Sequence, residues 1–403
     1  MILVEKHIIK NTHPFYNECD ELCFLSKNLY NQGLYNIRQH YFDSKKYLTY
    51  ESNYHVTKTQ DSYRQLPAKV SCQTLRLVDQ NFKSFFNLIK MNDSRKVRIP
   101  QYLHKTKGRY IVKYPKQALS KRTFDKKGHL KLSKSNLIIK TQVTDWNSIK
   151  EVRIIPRVIS KQYVIEVVYE KQEKINNGNI IASIDPGLNN LSTVTFNKEY
   201  NPIIINGRPL KSINQYYNKK RARLQGELEV KQKRKTSNRL TKLTNKRNNK
   251  VSDYLHKASR VLVNQLVSHN VKTLIIGKNV NQKQDINIGK KNNQNFVNVP
   301  LFRYLDMIKY KAMLEGIEVI FQEESYTSKS SFLSLDDIPV YGEPHNVKFS
   351  GYRSSRGLYK DKSLNRYINA DVNGSYNIMR KAIPNVFTDG IEGIGVCPVK
   401  LNV

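Results

Sequence analysis

The chain has 403 residues, with 69 Lys and Arg against 33 Asp and Glu, for a net charge of +36. That length allows two or three domains and a sizeable core. The charge excess has no use in an enzyme of small metabolites. It implies a polyanionic partner, and nucleic acid is favoured over an anionic membrane because the charge runs through folded-looking segments, not one tail or one amphipathic helix. No apolar run approaches the roughly 18 residues of a membrane span, and the stretch Met1 to His7 lacks a secretory pattern. The four cysteines, Cys19, Cys23, Cys72 and Cys397, form no CxxC pair. They predict buried thiols over a zinc site, a reducing compartment and a cytoplasmic location.

Residues 1–10 predict a short strand. Helical signals then run to about residue 92, with Cys23, Leu25, Leu29, Leu34 and Ile37 on one helix and Leu75, Val78, Phe82, Phe85 and Ile89 on another, split by Leu66-Pro67-Ala68. Between about 95 and 175, short apolar runs at 97–100, 110–112, 130–132, 136–139, 152–155 and 163–169 are separated by turn residues and predict a small β-barrel. The N-terminal strand would close it, leaving the helices as an insertion. After a polar hinge at Asn176-Asn177-Gly178-Asn179 the chain reads α/β. Strands at 180–185, 191–196 and 202–206 precede a basic stretch, 211–250, nearly unbroken by Gly or Pro. That stretch predicts a long helix or helical hairpin whose like charges need a polyanion alongside. Then come a helix carrying Leu255, Ala258, Leu262 and Leu266, a strand at 273–277, a helix carrying Leu301, Leu305, Ile308 and Ala312, a strand at 317–324 and a last helix. This is the element order of an RNase H-like sheet.

Two carboxylates are set at the edges of these elements. Asp185 ends the apolar run 180–185 just before Pro186-Gly187, so a buried strand delivers it to a turn. Asp371 opens the last helix in Asn369-Ala370-Asp371-Val372-Asn373-Gly374-Ser375-Tyr376-Asn377-Ile378. Either could be a local device, a turn starter or a helix cap. Together, in a polycationic chain, they suit a metal site for phosphodiester chemistry assembled by the fold. Asn373 and Asn377 share a helix face and either orient Asp371, contact a substrate strand or pack the helix.

With these blocks in view the chain resembles the TnpB family, transposon-encoded RNA-guided nucleases related to type V CRISPR effectors. The Asp185-Pro186-Gly187 block resembles the first RuvC motif, the Asp371 block the third, and Tyr326-Thr327-Ser328 the segment between the second and third. The resemblance implies a multidomain α+β protein: a β-barrel wedge domain (1–10 and 93–175), an inserted helical recognition lobe (11–92) and an RNase H-like RuvC nuclease domain (178–403) with the basic segment 211–250. It implies an RNA-guided DNA endonuclease, using transposon-derived guide RNA and two Mg²⁺ ions in phosphodiester hydrolysis. Guide RNA and a double-stranded DNA target would be the partners, in a ribonucleoprotein favoured as monomeric, with no membrane. The alternative is a nuclease-dead, RNA-guided DNA-binding repressor.

Two departures stand out. The second RuvC motif normally ends its strand in Glu; here Ile275-Ile276 leads to Gly277, which favours the repressor. The usual zinc-ribbon cysteines after Thr-Ser are missing, so no structural zinc is expected. A remedy for Gly277 lies on the next strand, about 4.8 Å away, which ends in Glu323-Glu324. Side chains alternate, so one of the two can enter the site. Glu324 is preferred and Glu323 is the alternate; Asp285, Asp336 and Asp337 are weaker candidates on loops. The expected catalytic and metal-binding set is Asp185, Glu324 and Asp371. Expected nucleic-acid contacts are Arg353, Arg356 and Lys360 before the last motif, and Lys219, Lys220, Arg221, Arg223, Lys233, Arg234 and Lys235 in the basic segment.

Overall fold

The structure is a computed structural model that describes residues 1–403 except 92–96, 158–160, 279–298, 356 and 389. The chain folds as two compact units, Met1–Gln172 and Glu173–Val403.

In the first unit the strands are β1 (Ile2–Lys10), β2 (Val112–Pro115), β3 (His129–Lys131), β4 (Ile138–Lys140), β5 (Ile149–Arg157) and β6 (Gln162–Glu170). The helices are α1 (Tyr16–Ser44), α2 (Tyr50–Thr57), α3 (Asp61–Arg64), α4 (Ala68–Lys90) and α5 (Lys121–Lys127). The strands form a four-stranded antiparallel sheet in the order β1-β6-β5-β2 and a separate β3-β4 ribbon. The pairing thus draws an open sheet and a ribbon where the sequence suggested a ring, although β1 does join it beside β6. The run 97–100 is irregular. The helical periodicity is largely realised: Cys23, Leu29, Leu34 and Ile37 of α1 and Leu75, Val78 and Phe82 of α4 are buried, Leu25 and Phe85 are half-buried, and Ile89, at the end of α4, is exposed. Pro67 stands at the N-cap of α4, where a missing N–H costs nothing. These helices share one core with the sheet, since Cys19, Cys23, Val70 and Leu75 pack with Val112, Tyr114, Ile154 and Ile165. Burial pushes the Cys19 thiol up to about 12, and Cys23 well above its ordinary value, so both behave as small hydrophobes.

The second unit holds β7 (Ile180–Pro186), β8 (Asn190–Phe196), β9 (Ile203–Asn206), α6 (Arg208–Gln232), α7 (Asn238–Ser268), β10 (Val271–Gly277), α8 (Leu301–Leu314) and β11 (Glu318–Gln322). They are followed by β12 (Gly351–Ser355), β13 (Leu358–Asp361), β14 (Arg366–Asn369), α9 (Ala370–Ala382) and β15 (Val399–Leu401). The main sheet runs β11-β10-β7-β8-β9-β15. β7, β10 and β11 are parallel, and β8 is antiparallel to both β7 and β9. β10 therefore lies between the strand carrying Asp185 and the strand leading to Glu323 and Glu324. The basic segment is a hairpin of α6 and α7, and its second helix runs on without a break into the apolar stripe Leu255, Ala258, Leu262 and Leu266. β12, β13 and β14 form a small antiparallel sheet that leads directly into α9.

Strand alternation gives the central sheet two unlike faces. Ile180, Ala182 and Ile184 of β7 and Leu274 and Ile276 of β10 join the α7 and α8 core. Ser183 and Asp185 fall on the other face, beside Ile275, which packs with Val372, Tyr376 and Ile378 of α9. No helix among the described residues is long and apolar enough to cross a membrane.

Candidate active site

Asp185 sits in β7 directly opposite Thr193 of β8, so its position is set by strand pairing and not by a turn of its own. α9 packs along the same face of the sheet. Asn369 is the N-cap of that helix, and its side-chain oxygen accepts the N–H groups of Asp371 at 3.0 Å and Val372 at 3.2 Å. The capping work that Asp371 could have done is thus done by its neighbour. The Asp371 carboxylate instead takes Asn190 Nδ2 on Oδ2 at 2.7 Å and Arg353 Nη2 on Oδ1 at 3.2 Å.

α9 is locked to the sheet by hydroxyls. Ser183 Oγ donates to the Ser375 carbonyl at 2.7 Å and lies 2.8 Å from Thr195 Oγ1. Ser375 Oγ stands 3.0 Å from Thr195 Oγ1 and 3.1 Å from the Ser183 carbonyl. Gly374 permits the close approach, since a Cβ there would lie 2.9 Å from Asp185 Oδ2.

The third carboxylate comes from beyond β11. Gly277 pairs in register with Gln322, and a Cβ on Gly277 would lie 2.7 Å from Glu324 Oε2 and 2.7 Å from Ile378 Cδ1. The space a side chain at 277 would need is therefore filled by the Glu324 carboxylate. Glu323 has different partners: Lys381 Nζ donates to its Oε2 at 2.6 Å and the Ser325 N–H to its Oε1 at 2.6 Å. Against the cost of its own partial burial, these donors hold the Glu323 carboxyl below its ordinary pKa.

Asp185 responds in the opposite sense. Burial first, then the fields of Glu324 and Asp371, push its carboxyl well above the ordinary value, against a smaller opposing effect of Arg353. Like charges forced together in this way favour a hard, oxygen-seeking cation. Asp185, Glu324 and Asp371 are the residues whose donor chemistry could hold one. The spacing is open, however: among the described residues no group of three or more His, Cys, Asp or Glu side chains forms a ready-made metal cluster.

The other expected residues separate. Asn373 and Asn377 serve the backbone of the 327–332 segment and not Asp371: Asn373 accepts the Phe332 N–H at 2.8 Å and donates to the Ser330 carbonyl at 2.8 Å, and Asn377 donates to Thr327 and Ser330 carbonyls. Asp336 is buried away from the carboxylates, bonded to Ser331 and Ser350, while Asp337 is exposed. Lys360 lies over the Tyr367 ring. Arg356 and Asp285 lie outside the described residues. Lys219, Lys220, Arg221 and Arg223 are exposed on α6, with Arg223 paired to Glu227 at 2.9 Å, and Lys233, Arg234 and Lys235 are exposed in the turn after it. Tyr216, Lys220, Arg223, Arg239, Lys242 and Lys246 line a cavity of about 390 Å³ between α6 and α7. Sequence reasoning missed Asn190, Gly374, Ser183 and Ser375. The signal available was the period-two appearance of polar residues, Ser183 and Asp185, inside an apolar strand.

Residues 162–283 match the family model OrfB_IS605, described as a probable transposase, and residues 302–378 match the Cas12f1-like TNB domain. A TnpB-like protein of Methanocaldococcus jannaschii is 29% identical over 236 residues, which are 57% of this chain and 78% of that protein. A CRISPR-associated endodeoxyribonuclease Cas12f2 of a Micrarchaeota archaeon is 28% identical over 237 residues, which are 56% of this chain and 41% of that protein. Among solved structures, a Cas12f1–sgRNA–target DNA complex matches with a TM-score of 0.38 at 16% identity, covering 94% of this chain and 100% of that one. Alicyclobacillus acidoterrestris C2c1 with single-guide RNA matches with a TM-score of 0.47 at 8% identity, covering 91% and 68%. Likenesses of that size carry no argument about mechanism. By these matches the chain is similar to TnpB proteins.

Proposed function

We infer that this chain is an RNA-guided DNA endonuclease whose reaction centre is Asp185, Glu324 and Asp371, on an RNase H-like sheet. The observation that carries this reading is the Glu324 carboxylate in the space over Gly277. It answers the one sequence feature that favoured a nuclease-dead repressor, because the carboxylate absent from β10 is supplied from beyond β11. The raised Asp185 carboxyl supports the same reading, since a structural aspartate gains nothing from two carboxylate neighbours.

Mg²⁺ held by these three residues would supply an activated water and neutralise charge on the departing oxygen. The chain's own residues do the rest. Asn190 fixes the orientation of Asp371, the Ser183–Ser375–Thr195 hydroxyls fix α9 against β7, and Gly374 admits the Asp185 carboxylate. The exposed cations of α6, α7 and their connecting turn offer phosphate contacts to a transposon-derived guide RNA, with double-stranded DNA as target. In the first unit the sheet would serve as wedge domain and the helices as recognition lobe.

The test is cleavage of a guided DNA target by the full chain with its co-purified RNA and Mg²⁺. Asp371→Ala should lose cleavage by at least about a hundredfold and keep DNA binding within about twofold, the loss expected when a group acting on developing charge is removed. Full cleavage by the variant contradicts the assignment.

A further inference from the structure

Arg353 is the cation that the fold brings to the carboxylates. Its Nη2 lies 3.2 Å from Asp371 Oδ1, and Asn190 holds Oδ2 of the same carboxylate. Both oxygens of Asp371 are thus engaged by donors of the chain itself. Arg353 is also the group whose positive field opposes the two carboxylates acting on Asp185.

Its backbone is anchored. Arg353 pairs in register with Tyr359, which is 1% exposed and donates its hydroxyl to the Lys329 carbonyl at 2.7 Å. Three residues before Arg353, the Ser350 N–H donates to buried Asp336 at 2.9 Å, and Asp336 also accepts the Ser331 N–H at 2.8 Å. At the far end of β13, fully buried Asp361 accepts the Ser331 and Ser334 hydroxyls and the Leu364 N–H. These two carboxylates staple the 331–336 segment to one end of the small sheet, where Gly351 pairs with Asp361. The strand beneath Arg353 is therefore fixed, while its side chain is 52% exposed and that of Asp371 28% exposed. An ion pair so exposed is weak and reversible.

We propose that Arg353 is a built-in counter-ion of the site: it occupies Asp371 in the cation-free protein and yields that carboxylate to a divalent cation when one binds. This rests on the divalent-cation reading of Asp185, Glu324 and Asp371. Arg353 is on this account a positioning residue that sets the threshold for cation entry, separate from any contact it makes with nucleic acid. Coulomb attraction permits one positive partner at Oδ1 without cost; a second at the same oxygen meets like-charge repulsion.

The experiment is calorimetric titration of the full chain with Mn²⁺, without nucleic acid, for wild type, Arg353→Ala, Arg353→Lys and Asp371→Asn, with thermal melting as the check on folding. Arg353→Ala should bind Mn²⁺ about two- to fivefold more tightly, the range of an exposed ion pair. Arg353→Lys should fall between it and wild type, and Asp371→Asn should bind at least tenfold more weakly. If Asp371→Asn weakens binding but Arg353→Ala leaves it unchanged or weaker, the counter-ion proposal is overturned and the cation site stands. If Asp371→Asn has no effect on Mn²⁺, or no variant binds it, the cation site itself is wrong and the proposal falls with it.

Discussion

On one face of the central sheet, Ile184 and Ile276 lie beneath α7 and α8 among Leu255, Leu262, Leu305 and Ile308. On the other, Ser183, Thr193 and Thr195 meet Ser375 at the foot of the helix that carries Asp371. The first face gains stability from area removed from water, a non-directional force that tolerates small slips. The second fixes a register, because hydroxyl–carbonyl bonds fail beyond a few tenths of an ångström. A site assembled from β7, the end of β11 and the start of α9 needs the second kind of contact. The contrast teaches that the polar interior of this sheet marks where position matters more than stability.

The faces should fail differently. Leu262→Ala, at a position 1% exposed on α7, should cost about 2–5 kcal/mol of stability in the second unit and leave cleavage per folded molecule unchanged. Chemical denaturation followed by a probe in that unit measures it, and a cost below about 1 kcal/mol would blur the contrast. A smaller effect tests the purity of the apolar face. Lys311 of α8 is buried there, its ammonium donating to the His256 carbonyl at 2.7 Å and Ser259 Oγ at 2.6 Å. Burial first, then Arg260, depress its pKa from 10.5 to about 8. The sign follows from proton linkage. Below about pH 8 both folded and unfolded chains hold the proton and the burial penalty is constant. Between about 8 and 10.5 the folded chain has lost its proton and the unfolded chain has not, so stability rises with pH across that window. Lys311→Met should remove this rise, and the stability difference between variant and wild type should shrink by roughly 1–3 kcal/mol from pH 8 to 10.5. A difference independent of pH would mean the ammonium is better solvated than its burial implies.

Much of this was readable from local pattern. The stripe at Leu75, Val78 and Phe82 and the blocks around Asp185 and Asp371 announce themselves within a dozen residues, and the basic hairpin within one continuous charged stretch. Strand alternation was expected to separate Glu323 from Glu324, but β11 ends at Gln322, before either residue; their partners differ all the same, Lys381 for Glu323 and the space over Gly277 for Glu324. What local pattern could not reach were pairings between distant segments. Asn190 to Asp371 and Ser183 to Ser375 span 181 and 192 residues. β15 lies parallel to β9 after a long excursion through the small sheet and α9, with nothing in Val399–Leu401 to say so. Asp336, read as a spare carboxylate, is instead a backbone acceptor, because serine N–H groups from two loops converge on it. Asn373 and Asn377 look like companions of Asp371 in sequence, but the helical turn aims them at the 327–332 segment.

The central claim is that Glu324 completes the site and Glu323 does not. Its most direct measurement is guided DNA cleavage with Mg²⁺ by the single variants Glu324→Gln and Glu323→Gln, each compared with wild type at matched RNA occupancy. The account expects Glu324→Gln to slow cleavage by at least about a hundredfold with DNA binding retained, as for loss of a charged group acting in the transition state. Glu323→Gln, which loses only its bond with Lys381, should stay within about threefold of wild type. Normal cleavage by Glu324→Gln, or a severe loss confined to Glu323→Gln, would contradict it.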